Sequence, residues 1–187
     1  VEIGIDAGRS ITIGGPGALA VARAVVIQLG AWSSPDDWQL VIDGDDERAW
    51  SWAAPLPHRA AHVTAAALSE HLADGGDRRT VVVTDRPDRL ADPGAPLRAA
   101  LDRGAVAVIA VDPAGRDAHL GDLLALGSLG RGRWHRRDAP HETVEVELAG
   151  LDVALAARCA RRIARRAAVA SCALPPPPLP ARVTLGE

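Results

Sequence analysis

Four residues, Gly14, Gly15, Pro16 and Gly17, stand between a β-branched run, Ile11 to Ile13, and an alanine-, leucine- and valine-rich run from Ala18 to Leu29. A strand, a glycine turn and a helix start in that order are how a backbone cradles a phosphate, because the first N–H groups of a helix have no partner of their own. Nucleotide hydrolysis asks for more. A lysine must reach the β and γ phosphates and a Ser or Thr hydroxyl must hold magnesium, as in G-x-x-x-x-G-K-[ST]. Here Ala18, Leu19 and Ala20 follow the turn, the chain has no lysine, and Arg23 lies too far into the helix to substitute. Asp85, closing RTVVVTD, has the position of a magnesium-holding carboxylate, but Arg86 and Pro87 follow where a catalytic acid is wanted. These residues predict a degenerate phosphate loop, with no hydrolysis and no bound cofactor.

The same turn fits a second chemistry. Gly15-x-Gly17-x-x-Ala20 matches the dinucleotide fingerprint G-x-G-x-x-[GA], and Asp43 ends the next strand where a ribose-binding acid belongs. Pro16 removes an N–H near the phosphate position, and the stretch to Asp43 exceeds the usual ~20 residues, so a turn needed only for packing is the competing reading. His58 and His62 have the spacing of paired metal ligands on a helix, yet Arg59 stands where the base of H-E-x-x-H would be and no third ligand follows, so no metal is expected. Two arginine groups could meet a polyanion. One comprises Arg161, Arg162, Arg165 and Arg166 with Arg158 before them, and the other Arg131, Arg133, Arg136 and Arg137 around Trp134. A solvated face explains either group equally well. No Ser-His-Asp or Cys-His arrangement is suggested, and Gly-x-Ser-x-Gly is absent.

Composition narrows the classes. The 187 residues carry a net charge of -3, so no overall basic field holds nucleic acid, although a local patch can. Phe, Tyr, Met, Lys and Asn are all missing, and the 21 cationic side chains are arginines, which reads as coding bias of a GC-rich genome. Cys159 and Cys172 have neither a metal nor a disulfide-framework spacing and read as free or buried thiols. No apolar run is long enough to span a bilayer, and no signal peptide is recognisable. A chain starting at Val1 instead of Met is expected to be part of a longer protein.

The elements that must position these residues follow from periodicity. Val1 to Asp6 alternates as a strand and pairs with Ile11 to Ile13 as a hairpin. Trp38 to Asp43, Arg79 to Asp85 and Ala105 to Asp112 are buried strands, and the helix between the first turn and Trp38 predicts a parallel pair with a right-handed crossover. Asp45 to Ala61, holding Trp50, Trp52, Pro57 and His58, reads as an irregular lid: either a contact surface or tryptophans buried in the domain's own core. Helices are expected over His62 to Ala73, Pro96 to Asp102, His119 to Leu126 and Asp152 to Ala168. Gly127 to Gly132 is a loop, Arg133 to Arg137 an edge strand and Glu142 to Leu148 a strand. The order predicts an α/β three-layer sandwich with a mostly parallel sheet, residues 1–172, and a proline-rich spacer, residues 173–187.

Taken together, ITIGGPGALAVARAVVIQLGAWSSPDDWQLVI, WSWAAPLPHR, RRTVVVTDRPD, the arginine-rich helix and the proline spacer into LPARVTLGE resemble one region of FtsK/SpoIIIE-type translocases of actinobacteria. That group includes the EccC motor proteins of type VII secretion systems. The resemblance implies a P-loop NTPase-like (Rossmann-like) module with a degenerate nucleotide site. It would lie on the cytosolic side, between membrane segments and the first complete ATPase domain of an ATP-driven, membrane-tethered translocase. Implied partners are those neighbouring domains and further copies of the full protein, with DNA or secreted protein reached only through the parent.

Overall fold

The computed structural model describes residues 5–44, 46–63, 65–73, 78–115, 121–127 and 130–172. In chain order the strands are β1 (Ser10–Gly14), β2 (Trp38–Asp43), β3 (Arg59–Val63), β4 (Arg79–Thr84), β5 (Val106–Asp112), β6 (Asp122–Leu126), β7 (Arg131–His135) and β8 (Thr143–Glu147). The helices are α1 (Ala18–Trp32), α2 (Glu47–Trp50), α3 (Ala65–Ala73), α4 (Asp88–Ala91), α5 (Pro96–Asp102) and α6 (Val153–Cys172), with a 3-10 turn at Ser51–Ala53. One eight-stranded sheet has the order β3-β2-β4-β5-β1-β6-β7-β8. Six strands run parallel, and only the β6–β7 and β7–β8 pairs are antiparallel. The α/β sandwich with a mostly parallel sheet is therefore observed.

Strand alternation builds the two cores. On one face Ile11 and Ile13, Leu40 and Ile42, Val81 and Val83, and Ile109 and Val111 pack with α1, α6 and the Trp50–Ala53 segment. On the other, Val41, Val82, Val106 and Val108 pack with Leu68 of α3, Leu90 of α4 and Leu97 and Leu101 of α5. β5 is buried at all seven positions, as a central strand covered on both faces must be.

Several expectations change. β1 is bonded to β5 on one side and β6 on the other, so neither edge is left for a hairpin with an earlier strand. Residues 1–4 lie outside the described residues, and Ile5 and Asp6 are not in a strand. β2 is parallel to β1 but not beside it, since β4 and β5 stand between them. Arg59–Val63 is a strand, where the lid was expected to run to Ala61 and a helix to start at His62, and α3 starts only at Ala65, because pairing with β2 decides the conformation. Asp122–Leu126 is likewise a strand, held by β1, where a helix was expected. β7 starts at Arg131, inside the expected loop, and is interior, because β8 takes the edge. Helix α6 runs past Ala168 to Cys172; residues 173–187 lie outside the described residues.

Candidate functional site

The glycine turn sits at the carboxyl end of β1, where ligands of parallel sheets bind. β1 ends at Gly14 and α1 starts at Ala18, so three residues join them. Of the two N–H groups on these residues, that of Gly15 is engaged within the protein, and that of Gly17 has no partner among the described residues. Gly15 donates to the Asp112 carbonyl at 2.9 Å, Pro16 has no N–H, and Ala18 donates back to the Gly15 carbonyl at 3.2 Å. The carbonyl of Leu126, at the end of β6, lies against the turn, 2.6 Å from where a Cβ on Gly15 would stand. Gly15 and Gly17 have φ of 102° and 84°, dihedrals that explain glycine at both positions without any ligand.

The residues present therefore do not fit a magnesium nucleotide. A phosphate cradle needs several free N–H groups in a concave loop, and this turn is short, has no N–H at Pro16, spends that of Gly15 on Asp112 and is pressed against β6. The cationic and magnesium-holding side chains are absent from the sequence as well. Arg23 does not replace them: it is buried, it donates from Nη1 to the Leu151 carbonyl at 3.3 Å, and its Nε has no partner among the described residues. Burial lowers its pKa, and the charge of Asp152 opposes that shift. Asp152 also caps α6, accepting from the Leu155 N–H at 2.7 Å. Arg23 thus pins the start of α6 onto α1.

The strand-end carboxylates are committed elsewhere. Asp85 accepts from the indole N–H of Trp50 at 3.2 Å and is separated from the turn by β5. Asp43 is buried, accepts from the Thr84 hydroxyl at 3.0 Å and is ion-paired with Arg89 of α4. The dinucleotide reading fails on topology as well, since that site needs the acid-bearing strand beside the glycine strand, and two strands intervene. Arg89 is the partner sequence reasoning missed; nothing in DRLA marks it as belonging to an aspartate 46 positions earlier. Asp112 is the carboxylate beside the turn, paired in register with Gly14, and its Oδ1 accepts from the Ala114 N–H at 3.1 Å.

Of the two readings of the tryptophan segment, burial is the one observed. Trp50 and Trp52 are 2% exposed and His58 is 1% exposed, with Pro57 partly covered, so in this chain they form no open contact surface. Their segment fills the layer under α6. His58 stacks on Trp38 with ring centres 4.6 Å apart, and its Nε2 lies 3.1 Å from the Ser33 carbonyl. That acceptor fixes the proton on Nε2 and leaves Nδ1 without a hydrogen-bond partner among the described residues, facing Gly30, whose missing side chain makes room for the ring. His58 precedes a strand, not a helix, so the expected histidine pairing on one helix face is not formed; the side chain of His62 lies outside the described residues. Among the described residues no three His, Cys, Asp or Glu side chains are grouped to hold a metal.

Burial holds the His58 imidazole below its ordinary pKa, against the opposing pull of the Ser33 and Ser34 backbone and of Asp37. The unfolded chain takes up a proton near pH 6.5 that the folded chain refuses, so this contribution is complete above that pH and is lost as pH falls below it. The urea midpoint is expected to drop between pH 7.5 and pH 5, and to drop less in His58→Leu. An equal drop in both proteins would remove His58 as the cause.

The arginine groups part company. Arg133 lies opposite Glu145 and Arg131 opposite Glu147, Arg136 pairs with Asp138 at 2.8 Å, and Trp134 packs against the core, so that cluster is no basic patch. Arg158, Arg161, Arg162, Arg165 and Arg166 are all exposed on α6 and make no ion pair among the described residues.

No family model and no curated protein matches the sequence. Solved structures do match. Thermomonospora curvata EccC, ATPases 2 and 3 in complex with a signal sequence peptide, superposes with a TM-score of 0.61 at 16% identity, over 88% of this chain and 43% of that one. EssC from Geobacillus thermodenitrificans, ATPases 2 and 3, gives 0.63 at 12% identity over 97% and 48%. The fold is that of the type VII secretion ATPase domains. The cytoplasmic domain of the Thermomonospora curvata type VII secretion ATPase EccC gives 0.56 at 16% identity, over 84% of this chain and 28% of that one. The chain thus spans less than half of each. No described helix is long and apolar enough to cross a membrane.

Proposed function

We propose that this chain is a non-catalytic, ATPase-like module of a larger FtsK/SpoIIIE-type translocase of the type VII secretion kind. It works in the cytosol by contacts with neighbouring ATPase and membrane domains of the same polypeptide, in an oligomer of the parent, and it meets cargo only through that parent. One observation carries this reading. On a fold shared with secretion ATPase domains, the turn that would hold triphosphate is closed by the protein's own carbonyls, Asp112 on one side and Leu126 on the other. A module that has kept the sandwich while its phosphate turn is used for packing can still serve as a rigid spacer or brake on an adjacent motor.

Phosphate release from magnesium ATP by the 187-residue chain is expected to equal that of protein-free buffer. Release that Asp85→Asn abolishes, in a variant that keeps an acceptor for the Trp50 indole, would contradict the proposal.

A further inference from the structure

The sheet ends at β8, and the alternation of its hydrogen bonds shows what that edge offers. The Leu148 N–H donates to the Gly130 carbonyl at 2.8 Å, and Gly132 is in register with Val146 and Trp134 with Val144. Hydrogen-bonded pairs alternate in an antiparallel ladder, so Val144, Val146 and Leu148 turn their backbone groups toward β7. Thr143, Glu145 and Glu147 then turn theirs outward, to an edge that no described strand covers.

The same three residues are exposed, while Val144 and Val146 between them are half-buried on the α6 side of the sheet. A separate hollow of about 610 Å³ lies across β6, β7 and β8, with Arg133, Glu145 and Glu147 in its lining, so it is a feature of the sheet and not of the edge itself. Edges of this kind are normally blunted by a bulge, a proline or a covering element, and among the described residues β8 has none of these, only its glutamates.

We infer that the β8 edge is a docking site for an extended peptide with arginine or lysine at alternate positions and small apolar residues between them, added as a ninth strand. Charge and register select this occupant. An added strand meets Glu145 and Glu147 directly, whereas Arg131 and Arg133 lie on the far side of those glutamates, one strand spacing of ~4.8 Å further in. Its backbone takes up the outward groups of Thr143, Glu145 and Glu147, and its apolar side chains extend the surface of Val144 and Val146. A second copy of β8 is a poor occupant, because the antiparallel register of greatest overlap sets Glu145 against Glu145.

The test uses a fluorescein-labelled, end-blocked heptapeptide, Thr-Arg-Val-Lys-Val-Arg-Thr, titrated with the whole chain and read by anisotropy. Saturable binding is expected, at least tenfold weaker when the amides of the two arginines and the lysine are N-methylated, which removes backbone donors and leaves every charge. The Glu145→Gln/Glu147→Gln protein, with its folding checked by circular dichroism, is expected to bind several-fold more weakly. Equal binding of the methylated peptide, binding untouched by the double glutamine variant, or no binding at millimolar protein would each overturn the inference.

Discussion

Gly15→Ala is expected to cost about 3–5 kcal/mol, and Gly17→Ala only about 1–2 kcal/mol, although both glycines have positive φ and lie in the same turn. The difference comes from what each new methyl would meet. At Gly15 it stands 2.6 Å from the Leu126 carbonyl oxygen, which is held by the sheet, so turn and strand must separate. At Gly17 no described atom lies within 4 Å of the new methyl, and only the dihedral penalty remains. A turn retained for phosphate would show a different pattern, with both substitutions weakening ligand binding and neither weakening folding so unequally. Urea unfolding of the two variants checks this: equal losses would mean that the contact with β6 is not what requires glycine at position 15.

Arg89→Ala is expected to destabilise the chain by about 3–5 kcal/mol, the cost of leaving a buried carboxylate without its cation. Asp43 is 1% exposed, and after the change the Thr84 hydroxyl is the one partner left to its side chain among the described residues. Adding Asp43→Asn should recover much of the loss, since an amide needs no counter-charge. If Arg89→Ala alone unfolds at the wild-type urea midpoint, the pair has no structural role. The pair also bears on function: the strand-end corner where a ribose-binding acid would be sought is filled by a salt bridge between β2 and α4.

What the sequence made legible was whatever has a strong local signature. The three valine- and isoleucine-rich strands, the turn at Gly14 to Gly17, and α1 and α5 all lie where periodicity and punctuation put them. Arg59–Val63 and Asp122–Leu126 did not, because RAAHV, split between the expected lid and helix, and DLLAL, expected as a helix, carry no strand alternation of their own, and only a neighbouring strand edge decides. Strand order was equally hidden: no local residue pattern tells that β4 and β5 insert between β1 and β2. That insertion separates Asp43 from the glycine turn and removes the dinucleotide reading. His58 illustrates the remaining gap. Its burial depends on the space left by Gly30 in α1 and on stacking with Trp38, neither of which is adjacent in sequence. The missing lysine, by contrast, needed no structure to be seen.

The most direct measurement is calorimetric titration of the 187-residue chain with magnesium ATP. The sealed turn predicts no binding heat up to millimolar nucleotide, because the N–H of Gly15 is already bonded to Asp112 and Leu126 lies against it. Micromolar binding that is lost in Gly17→Val would show that the turn opens to hold triphosphate, and the account of a site converted to packing would then be wrong.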